Sequence, residues 1–177
     1  LEEVRRFVGN GVEKLVQRAL PSHASNEEVQ KCLATFKDHY KDNMQNKTRP
    51  YDGIIDLLAK LKSRNYNMAI VSNKFDAAVK ALVKDYFGDY INVAIGESAT
   101  VKSKPAPDSV YVALKEFGSD IKDAVFVGDS ETDVKTAKNA GIPCVGVTWG
   151  FRTRDVLINE GADYIIDTPD ELIKILE

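Results

Sequence analysis

The chain contains a small set of residues whose side chains suit phosphate chemistry. They supply a hydroxyl, an amide, an ammonium group and two carboxylates, from Ser72, Asn73, Lys104, Asp129 and Asp133. A hydroxyl and nearby backbone N–H groups can hold phosphate oxygens, and a lysine can neutralise charge on a group in transfer. A carboxylate at a tight glycine turn can hold Mg²⁺. These residue types therefore predict phosphoryl transfer.

Three of these residues directly follow predicted strands. Ser72 and Asn73 come after the apolar run Met68–Val71, and Asp129 comes just after the run Ala124–Val127, with one glycine between. Ligands of parallel α/β sheets bind beyond the carboxyl ends of the strands. The order of these residues along the chain thus predicts that they meet at one edge of a sheet.

Lys104 and Asp133 complete the set from a loop and from a helix. Lys104 precedes Pro105 in a loop that lies, along the sequence, between the two strands, and Asp133 falls in the first turn of the helix after Asp129. From there Asp133 can orient a metal-bound water or the lysine rather than bind the ion itself. Each residue taken alone also fits an ordinary cap, turn or exposed loop. Their joint order at strand ends favours a site.

Two segments of different character would position these residues. Residues 1–48 show helical periodicity, with one apolar stripe formed by Val29, Leu33, Phe36 and Tyr40. Ser25 and Glu28 form a capping box at the start of that helix, and a shorter helix is predicted over residues 12–20. No strand pattern occurs before residue 51.

Residues 49–177 alternate between short apolar runs and amphipathic helices. The runs predict strands at residues 67–71, 91–95, 124–127, 144–147 and 163–166. Strands that are apolar throughout and separated by helices predict a parallel sheet covered on both faces. We therefore expect an α/β, Rossmann-like unit joined to a small helical bundle.

Composition excludes several classes of function. The 177 residues include 24 Lys and Arg against 27 Asp and Glu, and a net charge of −3 argues against binding to nucleic acid. No apolar run approaches the roughly 20 residues that span a bilayer, so no membrane association is expected. Cys32 and Cys144 lie far apart, which favours a reducing compartment such as the cytoplasm over a disulfide framework.

The candidate residues lie in segments that resemble a known superfamily. The second, third and fourth motifs of the haloacid dehalogenase-like hydrolases are similar to Ile70–Asn73, Lys104–Pro107 and Phe126–Asp133. Phosphatases of that superfamily also resemble the chain at Gly141–Pro143, Val147–Gly150 and Gly161–Asp163. The helical cap of the phosphoglycolate phosphatase branch resembles Arg6–Val12 and Arg18–Leu20.

The resemblance implies a Mg²⁺-dependent phosphatase that acts on a small phosphorylated metabolite, 2-phosphoglycolate, through an aspartyl-phosphate. Ser72 would then bind phosphate beside Asn73, Lys104 would be the transition-state cation, Asp129 the metal ligand and Asp133 its support. As a monomer or homodimer, such an enzyme would need no macromolecular partner.

The same resemblance assigns a substrate-specificity loop to the helical unit. Gly9, Asn10 and Gly11 match this loop, whose backbone N–H groups would meet the organic end of the substrate. Glycines at these positions fit a plain turn between helices equally well. Both interpretations stay open at this point.

One motif of the superfamily has no counterpart in the chain. The first motif is an aspartate-rich strand end that supplies the nucleophile, and no Asp-x-Asp occurs anywhere in the 177 residues. In the superfamily that strand lies between the strands that end here at Ser72 and Asp129, and its loss would leave buried backbone groups unpaired. We expect the native protein to be longer, and the chain as printed to be unable to form the phospho-enzyme.

Four other functions compete with the phosphatase. A dehalogenase is disfavoured, because that branch does not use the metal that Asp129 and Asp133 indicate. A phosphosugar mutase of the β-phosphoglucomutase type shares both cap and core. A non-catalytic protein that keeps the phosphate-binding residues without the nucleophile also fits the printed sequence. A receiver domain is disfavoured, because its acceptor aspartate precedes the hydroxyl whereas Asp129 follows Ser72.

Overall fold

The computed structural model describes residues 4, 7, 8, 11–43 and 45–177. The chain divides into two compact units, residues 1–49 and residues 50–177. Across the described part of the chain, no helix combines the length and the hydropathy needed to cross a membrane.

The first unit is helical in its described residues. Helix α1 spans Val12–Ala19 and helix α2 spans Asn26–Asn43. They pack through a small apolar core formed by Val16, Val29 and Leu33. The predicted capping box is confirmed, since the Ser25 N–H donates to Glu28 Oε2 at 2.8 Å and the Glu28 N–H donates to Ser25 Oγ at 3.3 Å.

The second unit alternates helices and strands in the predicted order. Its helices are α3 (Ile54–Ser63), α4 (Asp76–Phe87), α5 (Asp108–Phe117), α6 (Glu131–Ala140), α7 (Arg154–Glu160) and α8 (Glu171–Leu176). Its strands are β1 (Ala69–Phe75), β2 (Val93–Glu97), β3 (Phe126–Gly128), β4 (Cys144–Val147) and β5 (Tyr164–Ile166). This is the α/β fold that the sequence predicts.

The strands form two parallel groups. Strand β1 pairs with β2, and β3, β4 and β5 pair in that order. Within the described residues no ladder joins β1 to β3, so each of these strands has one free edge. Strand β1 is partly exposed along most of its length and Val127 of β3 is 42% exposed, whereas β4 is buried throughout.

Helices cover both faces of the three-stranded group, as predicted. Cys144 of β4 packs with residues of α6 and α7, whereas the next residue, Val145, packs with residues of α3 and α8. Successive side chains of a strand point to opposite faces. The two helix pairs therefore lie on opposite sides of β4, as expected for a parallel sheet.

The end of β1 departs from the prediction. The sequence placed the strand end at Val71, but β1 continues to Phe75 through an irregularity in its pairing with β2. Gly96 of β2 permits this course, because a Cβ there would lie 2.4 Å from the Cα of Asp76. Ser72 and Asn73 thus lie within an irregular strand segment rather than beyond the strand.

Candidate active site

Asp133 is held at the start of helix α6 by a capping box. The Asp133 N–H donates to Ser130 Oγ at 3.4 Å, and the carboxylate Oδ2 accepts from the Ser130 N–H at 3.1 Å. The same oxygen accepts from Ser130 Oγ at 2.6 Å and from the Asp129 N–H at 3.2 Å. Backbone and cap together therefore fix one oxygen of this buried carboxylate.

The other oxygen of Asp133 binds Lys104. Lys104 Nζ lies 2.6 Å from Asp133 Oδ1, and the two side chains are 14% and 7% exposed. The ammonium group also lies 5.6 Å from the ring centroid of Phe126. Of the two roles predicted for Asp133, the structure shows contact with the lysine.

Asn73 attaches the Lys104 loop to strand β1. Its side-chain Oδ1 accepts from the Lys104 N–H at 2.5 Å, and its Nδ2 donates to the Lys104 carbonyl oxygen at 2.9 Å. The amide is thus bonded in both directions to the backbone of the lysine. Its predicted contact with substrate stays a prediction, whereas its part in positioning Lys104 was missed from the sequence.

Asp129 lies at the end of β3, next to this buried ion pair. Burial raises the pKa of its carboxyl group, and the nearby charge of Asp133 adds to the rise. A backbone N–H from Phe151 opposes the rise by donating to Asp129 Oδ2 at 2.7 Å. A cation bound nearby would favour the charged form of this carboxylate and offset the effect of burial.

Two glycines allow the carboxylates to pack closely. A Cβ on Gly128 would lie 2.2 Å from Asp133 Cβ, and a Cβ on Gly150 would lie 2.2 Å from both Asp129 Cβ and Oδ2. Neither position tolerates a side chain without movement. The role of Gly128 follows from its place in the motif, whereas that of Gly150 was missed.

A further ion pair beside Asp129 was also missed from the sequence. Arg152 Nε lies 2.7 Å from Glu131 Oε2, and Arg152 Nη2 donates to Glu131 Oε1 at 3.1 Å. These hydrogen bonds are the largest cause of the lowered pKa of Glu131. The two residues follow neighbouring strands, β3 and β4, which is the signal that could have found them.

For the other residues predicted to bind substrate, the structure gives only local contacts or none. Ser72 is partly buried, and its Oγ accepts from the Lys74 N–H at 3.1 Å. Gly11 is exposed, with φ at 88°, and precedes α1. Gly9 and Asn10 lie outside the described residues. The predicted substrate contacts of all four stay predictions.

The carboxylate of Asp129 fits one of the common modes of Mg²⁺ binding. Among the described residues no group of three or more His, Cys, Asp or Glu side chains could hold a metal ion. Mg²⁺, however, commonly binds through one or two carboxylates, several waters and a substrate phosphate. The Asp129 carboxylate could supply the protein ligand in such a site. The nearby Lys104 ammonium group could bind the substrate phosphate.

Cys144 takes no part in this chemistry. Its side chain is buried in β4, and burial raises the pKa of the thiol to about 12. The thiol is therefore a packing group rather than a nucleophile.

Comparison with known proteins identifies the family. The model of the haloacid dehalogenase-like hydrolase family matches residues 1–147. The chain belongs to this family. This agrees with the parallel α/β fold and with the order of Asn73, Lys104, Asp129 and Asp133 along the chain.

Several phosphatases of the haloacid dehalogenase-like family are similar to the chain. A phosphoglycolate phosphatase of Mesorhizobium japonicum is 36% identical over 159 residues, covering 86% of this chain and 69% of the relative. Phosphoglycolate phosphatase 1 of Pseudomonas aeruginosa is 34% identical over 179 residues, covering 98% of this chain and 65% of the relative. The chain thus spans about two thirds of the length of these curated relatives.

A solved structure is similar in fold to nearly the whole of this chain. A protein of Lactobacillus delbrueckii subsp. bulgaricus, assigned as a phosphoglycolate phosphatase, superposes with a TM-score of 0.94 at 34% identity. The match covers 99% of this chain and 82% of that protein. The expected Rossmann-like architecture is confirmed by this likeness.

Proposed function

We propose that the protein is a Mg²⁺-dependent phosphatase that hydrolyses a small phosphomonoester, 2-phosphoglycolate, through an aspartyl-phosphate. The observation that carries the proposal is the buried Lys104–Asp133 ion pair beside the desolvated carboxylate of Asp129. The similar phosphoglycolate phosphatases support this choice of substrate.

Each of these side chains has a defined part in the proposed reaction. Lys104, which Asn73 and Asp133 hold in place, neutralises negative charge on the phosphoryl group in transfer. Ser72 donates its hydroxyl to a phosphate oxygen. Asp129 is the residue that would hold Mg²⁺, and the ion would supply further positive charge to the transferring group.

The nucleophile would come from a strand that lies outside residues 1–177. The chain contains no Asp-x-Asp motif, and among the described residues β1 and β3 each have a free edge. A strand between them would cover Val127 and pair the free backbone groups. We propose that this strand ends in the aspartate that attacks phosphorus and displaces the alcohol, and that water then hydrolyses the aspartyl-phosphate to release phosphate. Residues 1–177 alone would be inactive.

Two lesser predictions accompany the proposal. The cysteine content favours the cytoplasm, since both cysteines are free and Cys144 is buried. We expect the protein to act as a monomer or a homodimer. Residues 9–11 would contact the organic end of the substrate.

The proposal is tested by assaying the protein expressed from its complete coding sequence. We expect it to release phosphate from 2-phosphoglycolate with Mg²⁺ and to lose that activity in EDTA, while residues 1–177 alone release none. Sugar phosphates serve as the substrate controls. Isomerisation of a sugar phosphate without release would favour the mutase, and binding of phosphate esters without turnover would favour the non-catalytic protein.

A further inference from the structure

We propose that Arg152 is a positioning residue, which fixes the Asp129 carboxylate in the orientation that receives a divalent cation. The inference rests on the proposed function, because it assumes that Asp129 binds the cation. It concerns Arg152 in the loop after β4, a residue outside the segments that carry the resemblance.

The ion pair between Arg152 and Glu131 is well defined. Two guanidinium nitrogens donate to the two carboxylate oxygens, at 2.7 Å and 3.1 Å, a bidentate pairing that arginine can make and lysine cannot. The side chains are 18% and 27% exposed, so solvent screens the pair less than it screens a surface pair. Glu131 begins helix α6, and Arg152 follows β4. The pair therefore joins the segments after two neighbouring strands.

The loop joined in this way contacts Asp129 directly. Phe151, the residue before Arg152, donates its backbone N–H to Asp129 Oδ2 at 2.7 Å. Gly150 packs against the same carboxylate, leaving no space for a Cβ. Since Arg152 anchors the loop to the start of α6, it fixes the N–H donor that sets the rotation of the Asp129 carboxylate. The second oxygen is then oriented before a cation arrives.

Arg154, the first residue of α7, supplies a matched control. It pairs with Asp167 at 2.5 Å, and the two side chains are 46% and 56% exposed. Removal of Arg154 deletes one arginine and one ion pair without touching the Glu131 contact. Exposed pairs of this kind contribute little to stability.

The test measures Mn²⁺ binding by electron paramagnetic resonance in the full-length protein. We expect Arg152→Ala to weaken binding about 10-fold, as is usual when a partner of a metal ligand is lost. Arg152→Lys should recover part of that loss, and Arg154→Ala should bind within about 2-fold of the unsubstituted protein. The Mg²⁺ concentration for half-maximal phosphate release should rise about 10-fold in Arg152→Ala, with the KM for substrate nearly unchanged.

A second variant covers the case in which Arg152→Ala fails to fold. Glu131→Gln keeps the shape of the first turn of α6, removes the charge partner, and should weaken Mn²⁺ binding in the same direction. Unchanged Mn²⁺ affinity in a folded Arg152→Ala or Glu131→Gln variant would overturn the inference, and so would an equal loss in Arg154→Ala.

The same measurements separate this inference from the proposed function. If the unsubstituted protein releases phosphate and the variants bind Mn²⁺ as it does, the role of Arg152 is refuted and the proposed function stands. Specific loss of Mn²⁺ binding in the Arg152 variants without any phosphate release would remove the phosphatase alone. Absence of Mn²⁺ binding by the unsubstituted protein would overturn both.

Discussion

Asp129→Asn is expected to lower Mg²⁺-dependent phosphate release by about 10³-fold or more in the full-length protein, and Asp129→Ala to abolish it. Asn at position 129 keeps the shape of the side chain and an oxygen that accepts from the Phe151 N–H, but it removes the charge that would hold the cation. Without the cation, the transition state loses several kcal/mol of stabilisation. A rise of this size in the activation free energy corresponds to roughly this factor in rate. The measurement is phosphate release as a function of Mg²⁺ concentration.

Asp129→Asn should lower activity without lowering the stability of the fold. Burial raises the pKa of the Asp129 carboxyl group, so its ionisation at neutral pH lowers the stability of the fold. The neutral amide removes this cost, and the free energy of unfolding without metal should not fall. Asp155→Asn, at an exposed position of α7, should leave activity and stability unchanged. Full activity in Asp129→Asn would refute the metal assignment.

Lys104→Met is expected to reduce turnover by about 10³-fold, on the scale of losing one preorganised charge-stabilising group. It also leaves the Asp133 carboxylate buried without its cation. Breaking a buried pair costs about 3–5 kcal/mol of stability. For Lys104→Met, the free energy of unfolding should fall by no more than the lower end of that range. Ser130 and Asp129 still donate hydrogen bonds to the Asp133 carboxylate and limit the loss.

A double variant distinguishes the two effects of Lys104. Lys104→Met combined with Asp133→Asn removes both charges, so the free energy of unfolding should recover most of its loss while turnover stays low. Urea denaturation and phosphate release measure the two quantities. Near-normal turnover in either Lys104 variant is incompatible with a catalytic charge at this position.

The proximity of the principal candidate residues was predictable because chain order determines where parallel strands end. Lys104, Asp129 and Asp133 follow or precede predicted strands and helices, and in the structure they form one connected network. The capping box formed by Ser130 and Asp133 is local, so its residue types at a spacing of three suffice to predict the start of α6.

The remaining contacts depend on strand pairing, which short-range patterns do not encode. The register that places Gly128 opposite Gly146 brings the segments after β3 and β4 side by side. Arg152 thereby reaches Glu131 across 21 positions of sequence. The bonds from Asn73 to Lys104 arise likewise, across 31 positions, from the irregular end of β1. No periodicity along the chain specifies such contacts.

A crystal structure of the full-length protein with Mg²⁺ and vanadate would test the central claim most directly. The account predicts vanadate in contact with Lys104 Nζ and Ser72 Oγ, the cation bound to Asp129, and an aspartate from a strand between β1 and β3 facing vanadium. Vanadate bound elsewhere, with the Lys104–Asp133 pair remote from it and Asp129 free of metal, would contradict the account.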